Sequence, residues 1–463
     1  MHCQKTFKLE NMNITTTLKD NFKMQLGSFY VEVWGCQMNV YDGGRIKDLL
    51  TAAGFAQVNA PKDADIVVLV TCAVRAKAED KVFNQIASWR HTGDINEDTI
   101  IALGGCVGSE LAEQILELDK SVNIIFGPRT IHRLPQMIGQ FTATGKPVVD
   151  VTADAIDKFD YMPESGPVGP SAFVTIMEGC SNKCTYCIVP YTRGEEQSRP
   201  VQDILDECIN HIANGVLEIH LLGQNVNSYH GLNPDGSICN FSSLLYEIAA
   251  IPGVERIRFT TSNPMDFTDD IIKAVHDLEV ISDSIHVPIQ SGSDRILQAM
   301  HRRYTAKQYI NLVKKLREAR PTVHISSDFI VGFPGETDED FEETMKVVNE
   351  VKFDQSFSFV YSIRPGTPAA KLEDPVPKEV KMQRLYRLQN RLEELASEYT
   401  QSFLGTTQKC LVEGTSRKDE SELKSRSSSG RIVVFKGPLS LVGKMVDVKI
   451  TSVIAHTLKG ELV

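Results

Sequence analysis

The chain has 463 residues, enough for two to four domains at roughly 100–200 residues each. Its 42% hydrophobic and 24% charged residues exclude a disordered or fibrous protein. The formal net charge of −11 argues against nucleic-acid binding by the chain as a whole, although residues 401–463 are basic, with 10 Lys and Arg against 6 Asp and Glu.

The opening stretch MHCQKTFKLENMNITTTLKDNFKMQL has no apolar core of a secretory signal. Apolar runs such as DIVVLVTCAV fall far short of the ~20 residues of a membrane span, so a cytoplasmic protein is expected. Ten cysteines in such a chain point to metal-binding, catalytic or structural thiols rather than disulfides.

The first elements read as strand 27–34 (GSFYVEVW), helix (IKDLLTAAGF), strand 64–71 (ADIVVLVT), helix near 76–90, strand 99–105 (TIIALGG), helix (LAEQILEL) and strand 122–127 (VNIIFG). Alternating β and α elements predict a parallel-sheet α/β domain over 28–145. Residues 146–170 contain the Pro-, Gly- and acid-rich run TADAIDKFDYMPESGPVGP and read as a solvated linker.

The alternation restarts at 171. Strands are expected at 172–178, 217–222, 255–260, 283–289, 323–331 and 354–361, which predicts a partial (β/α)6 barrel over 171–400, since a full eight-unit barrel takes about 250 residues. Residues 378–403 read as a long charged helix. The short β-branched runs RIVVF and MVDVKITSV predict a small OB-like β-barrel at 401–463. The stretch 416–430, SRKDESELKSRSSSG, is poor in apolar residues and reads as a loop.

Cys180, Cys184 and Cys187 stand in a C-x3-C-x2-C spacing. A structural zinc site is closed by four ligands, and the next candidates, Cys208 and His211, fall in the following helix. Zinc therefore needs a fourth ligand from elsewhere. An iron–sulfur cluster suits three thiolates when one iron is to stay open for a ligand. Placed after the first barrel strand, the loop sits on the face where barrel enzymes do their chemistry. The glycine before Cys180 eases the turn.

Cys36, Cys72 and Cys106 each follow a predicted strand of the N-terminal domain, at separations no local metal motif has. In a parallel sheet, strand ends emerge on one ligand-binding edge, so these thiols are expected to meet and hold a second cluster. The alternative is three unrelated half-buried cysteines. Cys3, Cys208, Cys239 and Cys410 have no companions and read as structural or incidental.

The spacing C-x3-C-x-Tyr186-C resembles the signature of the radical S-adenosylmethionine (SAM) enzymes. With the three-cysteine α/β domain before it and the small barrel, similar to a TRAM domain, after it, the chain resembles the methylthiotransferase family from about residue 28 to 463. GCQMN (35–39), YTRGEEQSRP (191–200) and LLGQNVNSY (221–229) resemble its branch acting on isopentenyl-type adenosine in tRNA. Other branches act on threonylcarbamoyl adenosine in tRNA or on a ribosomal-protein aspartate. TSNP (261–264) and HRRYT (301–305) depart from the family pattern.

The resemblance implies two [4Fe–4S] clusters, with SAM bound and cleaved at the one held by Cys180, Cys184 and Cys187. It also implies methylation of sulfur at the other, and methylthio transfer to C2 of adenosine 37 of tRNA. The implied partners are a tRNA anticodon stem–loop, an external electron donor and a sulfur source, for a monomeric enzyme. Candidate cofactor contacts are Tyr186, Gln224, Asn225, Asp328 and Arg364. Ser291, Gly292 and Ser293 offer either backbone N–H groups for the cofactor carboxylate or plain helix capping. Candidate RNA contacts are Tyr191, Arg193 and Arg199 after the cluster loop and Arg417, Lys418, Arg426, Arg431 and Lys436 in the C-terminal barrel. A non-enzymatic rival is a zinc-stabilised RNA-binding protein or electron carrier.

Overall fold

The computed structural model describes residues 27–72, 78–152, 158–166, 169–260 and 262–463. Cys3, Thr261 and part of the expected linker lie outside the described residues. The chain forms two units, residues 1–165 with 191–194, and residues 166–190 with 195–463.

In the first unit six parallel strands stand in the order β2-β1-β3-β4-β5-β6. They are β1 (Ser28–Val33), β2 (Ala56–Gln57), β3 (Ile66–Thr71), β4 (Ile100–Gly105), β5 (Val122–Phe126) and β6 (Val148–Asp150). Every residue of β3 is buried, as its unbroken apolar run requires of a strand covered on both faces. One face carries Val68, Val70, Ala102 and Phe126 against α1 (Gln37–Ala52) and the helix Leu134–Thr144. The other carries Val67, Leu69, Ile101 and Leu103 against α2 (Ala78–Thr92).

The sheet continues past residue 145, where its end was expected, because Val148 and Val149 pair with Ile124 and Ile125. Nor is the rest of the linker a solvated spacer. Lys158 is fully buried and Met162 joins the core, while Pro163 O and Ser165 accept hydrogen bonds from Arg45. A few tertiary anchors in a polar segment leave no compositional trace.

The second unit contains the six expected barrel strands. They are β7 (Ser171–Thr175), extended by β8 (Met177–Glu178) that pairs with β9 (Gln197–Ser198); β10 (Glu218–Leu222); β13 (Arg256–Phe259), after the hairpin β11 (His230–Leu232) and β12 (Ile238–Asn240); β14 (Ser284–His286); β15 (His324–Ser326) with β16 (Asp328–Val331); and β17 (Phe357–Val360). The pairs β7–β10, β10–β13, β14–β15 and β16–β17 are all parallel, and single bridges at Ile257–Ile281 and Gln290–Phe329 join the groups. Among the described residues β17 does not pair back to β7, so the barrel is open. Helices cover its outside, where Val174, Leu221, Ile257, Ile285 and Phe329 share one core.

A 25-residue helix, Lys378–Ser402, leads to a closed five-stranded barrel in the order β18-β19-β20-β22-β21. Its strands are β18 (Thr407–Thr415), β19 (Glu422–Ser427), β20 (Ile432–Lys436), β21 (Met445–Ile454) and β22 (Thr457–Leu462). β19 lies within the stretch expected to be a loop. Its alternate residues Leu423, Ser425 and Ser427 point inward and are buried. Two of those three are serines, with Ser425 donating to Val433 O, so the inward face carries almost no apolar signal.

This small barrel is fastened to the N-terminal ends of the large barrel's strands. Arg258 donates to Ser427 O (2.6 Å) and Ser428 O (3.1 Å), and Arg256 donates to Lys409 O (2.9 Å) and Arg426 O (3.1 Å). Both guanidiniums share the buried carboxylate of Glu218. Opposite them, fully buried Arg431 forms a bidentate pair with Asp354 at 2.8 and 2.5 Å.

Candidate active site

The loop holding Cys180, Cys184 and Cys187 leaves the barrel just after β8, at the C-terminal end of the first strand. Gly179 turns the chain there with φ +78°, a left-handed conformation that glycine adopts without strain. The Gly179 N–H donates to Gln224 Oε1 at 2.6 Å, so the end of β10 fixes the start of the loop.

The segment 301–305, noted above only as a departure from the family pattern, clamps the rest of this loop. His301 Nδ1 meets Lys183 O at 2.8 Å, Arg303 donates to Asn182 Oδ1 at 3.1 Å, and Arg302 donates to Cys184 Sγ at 3.5 Å. Thr185 is tied to Ala299 O and Met300 O, and its own carbonyl accepts from Ala369 N–H. Burial raises the Cys180 thiol, and burial with neighbouring Cys184 pushes Cys187 up to about 12.

Three thiols on a braced loop, with a cation beside one of them, suit a cluster with one open iron. Among the described residues no three His, Cys, Asp or Glu side chains are arranged around a single ion. Thiolates that bind three different irons of one cluster do not converge on one point.

In the first unit, Cys36, Cys72 and Cys106 directly follow three neighbouring strands, β1, β3 and β4. The register Val33–Val70 and Thr71–Gly105 brings those strand ends level. Gly35, at φ +128°, lies so close to Cys72 that a Cβ there would stand 2.3 Å from the Cys72 Cβ. Cys36 is exposed, whereas Cys72 and Cys106 are buried.

A hydrogen bond with Cys72 lowers the Cys36 thiol to about 6, helped by the Arg193 guanidinium. Arg193 is 2% exposed and donates to Asp42 (3.0 Å) and Asn39 (3.3 Å). Lys158 meets the other Asp42 oxygen at 3.1 Å. This buried Lys–Asp–Arg group ties the helix that follows Cys36 to residues 158 and 193.

The expected cofactor contacts divide. Asn225 joins the end of β10 to that of β13, donating to Asp266 (2.6 Å) and accepting from Asn263 N–H (3.0 Å). Tyr186 packs with Phe333 and Tyr361 beneath the loop, and burial raises its hydroxyl well above the usual value. Asp328 lies half-buried 3.4 Å from His286 Nε2. Arg364 is buried, with its carbonyl capped by Thr367.

The N–H groups of Gly292 and Ser293 are already bonded within the chain and are not free for a carboxylate. Gly292 N–H donates to Thr344 Oγ1 (2.9 Å), Ser293 N–H donates to Ser291 Oγ, and Ser293 Oγ caps the helix Asp294–Ala299. Of the three, Ser293 caps a helix. His286, Arg302 and Thr344, which meet Asp328, Cys184 and Gly292, carry no spacing signal in the sequence because each stands alone.

Family models match along the chain: Uncharacterized protein family UPF0004 at 28–127, the Radical SAM superfamily at 174–348 and the TRAM domain at 401–463. A protein of Photorhabdus laumondii subsp. laumondii is 52% identical over 94% of this chain and 91% of its own length, and one of Escherichia coli O9:H4 is 52% identical over 94% and 92%. Both are named tRNA-2-methylthio-N(6)-dimethylallyladenosine synthase. The chain belongs to this synthase family.

Two solved structures share the fold of this synthase-family chain. The radical S-adenosylmethionine methyltransferase TsrM from Kitasatospora setae aligns over 74% of this chain and 75% of its own, with TM-score 0.55 at 14% identity. The cobalamin-dependent S-adenosylmethionine radical enzyme OxsB aligns over 80% and 56%, with TM-score 0.51 at 15% identity.

Of the RNA contacts expected of a synthase-family member, Tyr191, Arg417, Lys418 and Lys436 are exposed. Three arginines are not available to phosphate. Arg193 is held by Asp42, Arg199 by Thr175 O and Glu207 at 2.6 Å each, and Arg431 by Asp354. Arg426 is engaged by Glu413 and Gly430 O. Charge type was legible in the sequence, but the buried partner that neutralises it was not.

Proposed function

We propose that the chain is a radical SAM methylthiotransferase that adds a methylthio group to C2 of N6-isopentenyladenosine at position 37 of tRNA. The observation that carries this is the 52% identity over 94% of the chain to proteins named for that reaction, together with both cysteine triads standing at strand ends.

In this reading Cys180, Cys184 and Cys187 hold one [4Fe–4S] cluster and Cys36, Cys72 and Cys106 a second. When bound, the clusters supply the electron that cleaves SAM and the sulfur that is transferred. The protein's own residues fix geometry. Gln224 and residues 301–303 lock the loop, Arg302 sets positive charge against Cys184, and Asn225 with Asp266 braces the neighbouring strand ends.

Tyr191, Arg417, Lys418 and Lys436 meet the anticodon stem–loop. An external electron donor and a sulfur source complete the reaction, carried out by a cytoplasmic monomer. No helix among the described residues is long and apolar enough to cross a membrane.

Nucleoside analysis of tRNA from a deletion strain tests the reading. Loss of 2-methylthio-N6-isopentenyladenosine, restored by this chain but not by Cys180→Ala, is expected. Unchanged methylthio content would overturn it and point to the ribosomal-protein branch.

A further inference from the structure

The inner face of the open barrel carries two aromatic side chains that the fold leaves uncovered. On β16, Phe329 and Val331 face the helices and join the core, so Asp328 and Ile330 face inward. The parallel register pairs Asp328 with Phe357 and Ile330 with Phe359, which puts both phenylalanines on that inward face. They are 58% and 44% exposed. Strands of a parallel sheet are normally covered on both faces, and two adjacent bare phenyl rings mark a surface with an occupant.

The same face has a polar end. His286 and Ser326 are register partners, with His286 Nδ1 2.9 Å from Ser326 Oγ and its Nε2 3.4 Å from Asp328 Oδ2. Thus a flat apolar patch of Ile330, Phe357 and Phe359 borders a carboxylate–imidazole pair. The strands carrying it end on the edge where the Cys180–Cys187 loop sits, and Ile330 and Tyr186 of that loop pack against one shared cluster.

We propose that Phe357 and Phe359, with Ile330, form the seat of the dimethylallyl-bearing adenine and select RNA that carries this prenyl group. The proposal rests on the prenylated-adenosine reading above and adds its specificity element. A five-carbon apolar branch and a purine face match phenyl rings in area and polarity. A threonylcarbamoyl group in the same place would bring its carboxylate onto the rings and against Asp328, a like-charge contact that rejects it.

The test uses full-length protein reconstituted with iron and sulfide under anaerobic conditions. Its affinity is measured for one anticodon stem–loop with and without the N6-dimethylallyl group. Wild type is expected to favour the prenylated RNA by about tenfold or more, the range a hydrophobic pocket supplies. F357A/F359A brings the ratio near one with iron content and melting temperature kept, and F357L/F359L restores most of it. An unchanged ratio in F357A/F359A overturns the seat. So does a fall in melting temperature or a change of oligomeric state with the ratio unchanged, which would make the face a packing surface. Wild type that forms product yet binds both RNAs equally overturns the seat alone. Wild type that forms no methylthio product while favouring prenylated RNA overturns the reaction and leaves the seat standing.

Discussion

The two cysteine triads solve one problem in opposite ways. Cys180, Cys184 and Cys187 lie in one loop that the turn at Gly179 begins, and Gln224 and residues 301–303, distant in the chain, brace it. Cys36, Cys72 and Cys106 are spread over 71 residues and are neighbours only because β1, β3 and β4 are adjacent in one sheet. The first triad is contiguous in the chain before the fold braces it, whereas the second is assembled only by a correctly folded parallel sheet.

Removing either triad should separate them most sharply. Protein reconstituted anaerobically is expected to hold about eight irons, and either triple Cys→Ala variant about four. Only the loss of Cys180, Cys184 and Cys187 should abolish reductive cleavage of SAM. Loss of Cys36, Cys72 and Cys106 should leave cleavage and remove methylthio product. Four irons in wild type would mean the sheet-edge cysteines hold no cluster.

A second test disturbs the sheet edge without replacing a cysteine. Gly35→Val places a branched side chain at φ +128° against Cys72, at a cost of about 1–3 kcal/mol. Iron should fall toward four with SAM cleavage intact. Gly179→Ala, strained by roughly 1–2 kcal/mol, should reverse the pattern, lowering cleavage and sparing the other cluster.

The Arg431–Asp354 clamp lies in neither triad and serves as a control on stability. Arg431→Ala removes the bidentate partner of a buried carboxylate and leaves it only His324 at 3.3 Å, so it should destabilise the second unit by up to about 3–5 kcal/mol in chemical denaturation. Against burial, His324 and Arg431 hold the Asp354 carboxyl below its usual value. That contribution is therefore complete above the ordinary carboxylate value of about 3.9 and disappears as pH falls through the lower folded value. A pH titration of wild-type stability should show this acid loss, and R431A should show less of it.

Smaller effects follow at the surface and at the solitary thiols. Replacing Arg417, Lys418 and Lys436 together should weaken stem–loop binding and lower the salt slope by about one for each phosphate left without its cation. The same treatment of Arg431 should act through stability, not through the slope. Cys208→Ala, Cys239→Ala and Cys410→Ala should leave iron unchanged. Each removes a buried sulfur from an apolar core, and thermal melting should register only a small drop.

Much of this architecture was readable in order along the chain. The unbroken apolar run of β3, the six β/α repeats and the short β-branched runs near the end each report a period or a burial pattern that a strand imposes on its own residues. The loop triad was legible for the same reason, since all its ligands lie within eight residues. The sheet-edge triad was legible only through the rule that parallel strands end on one side.

What escaped depends on partners distant in sequence. β19 carries almost no apolar pattern because Ser425 and Ser427 face inward, satisfied by hydroxyl hydrogen bonds. Lys158 and Met162 looked like linker, and Arg193, Arg199 and Arg431 looked like phosphate ligands. A charged residue's type is set by the sequence, but whether it meets solvent, RNA or a buried carboxylate is set by what the fold brings to it. The residue types, the element order and the two sets of thiols were thus determined by the sequence itself. The pairing of Arg431 with Asp354, the clamp on the cluster loop and the bare face of Phe357 and Phe359 were decided only by the tertiary structure, because each joins groups whose spacing along the chain carries no repeat to read.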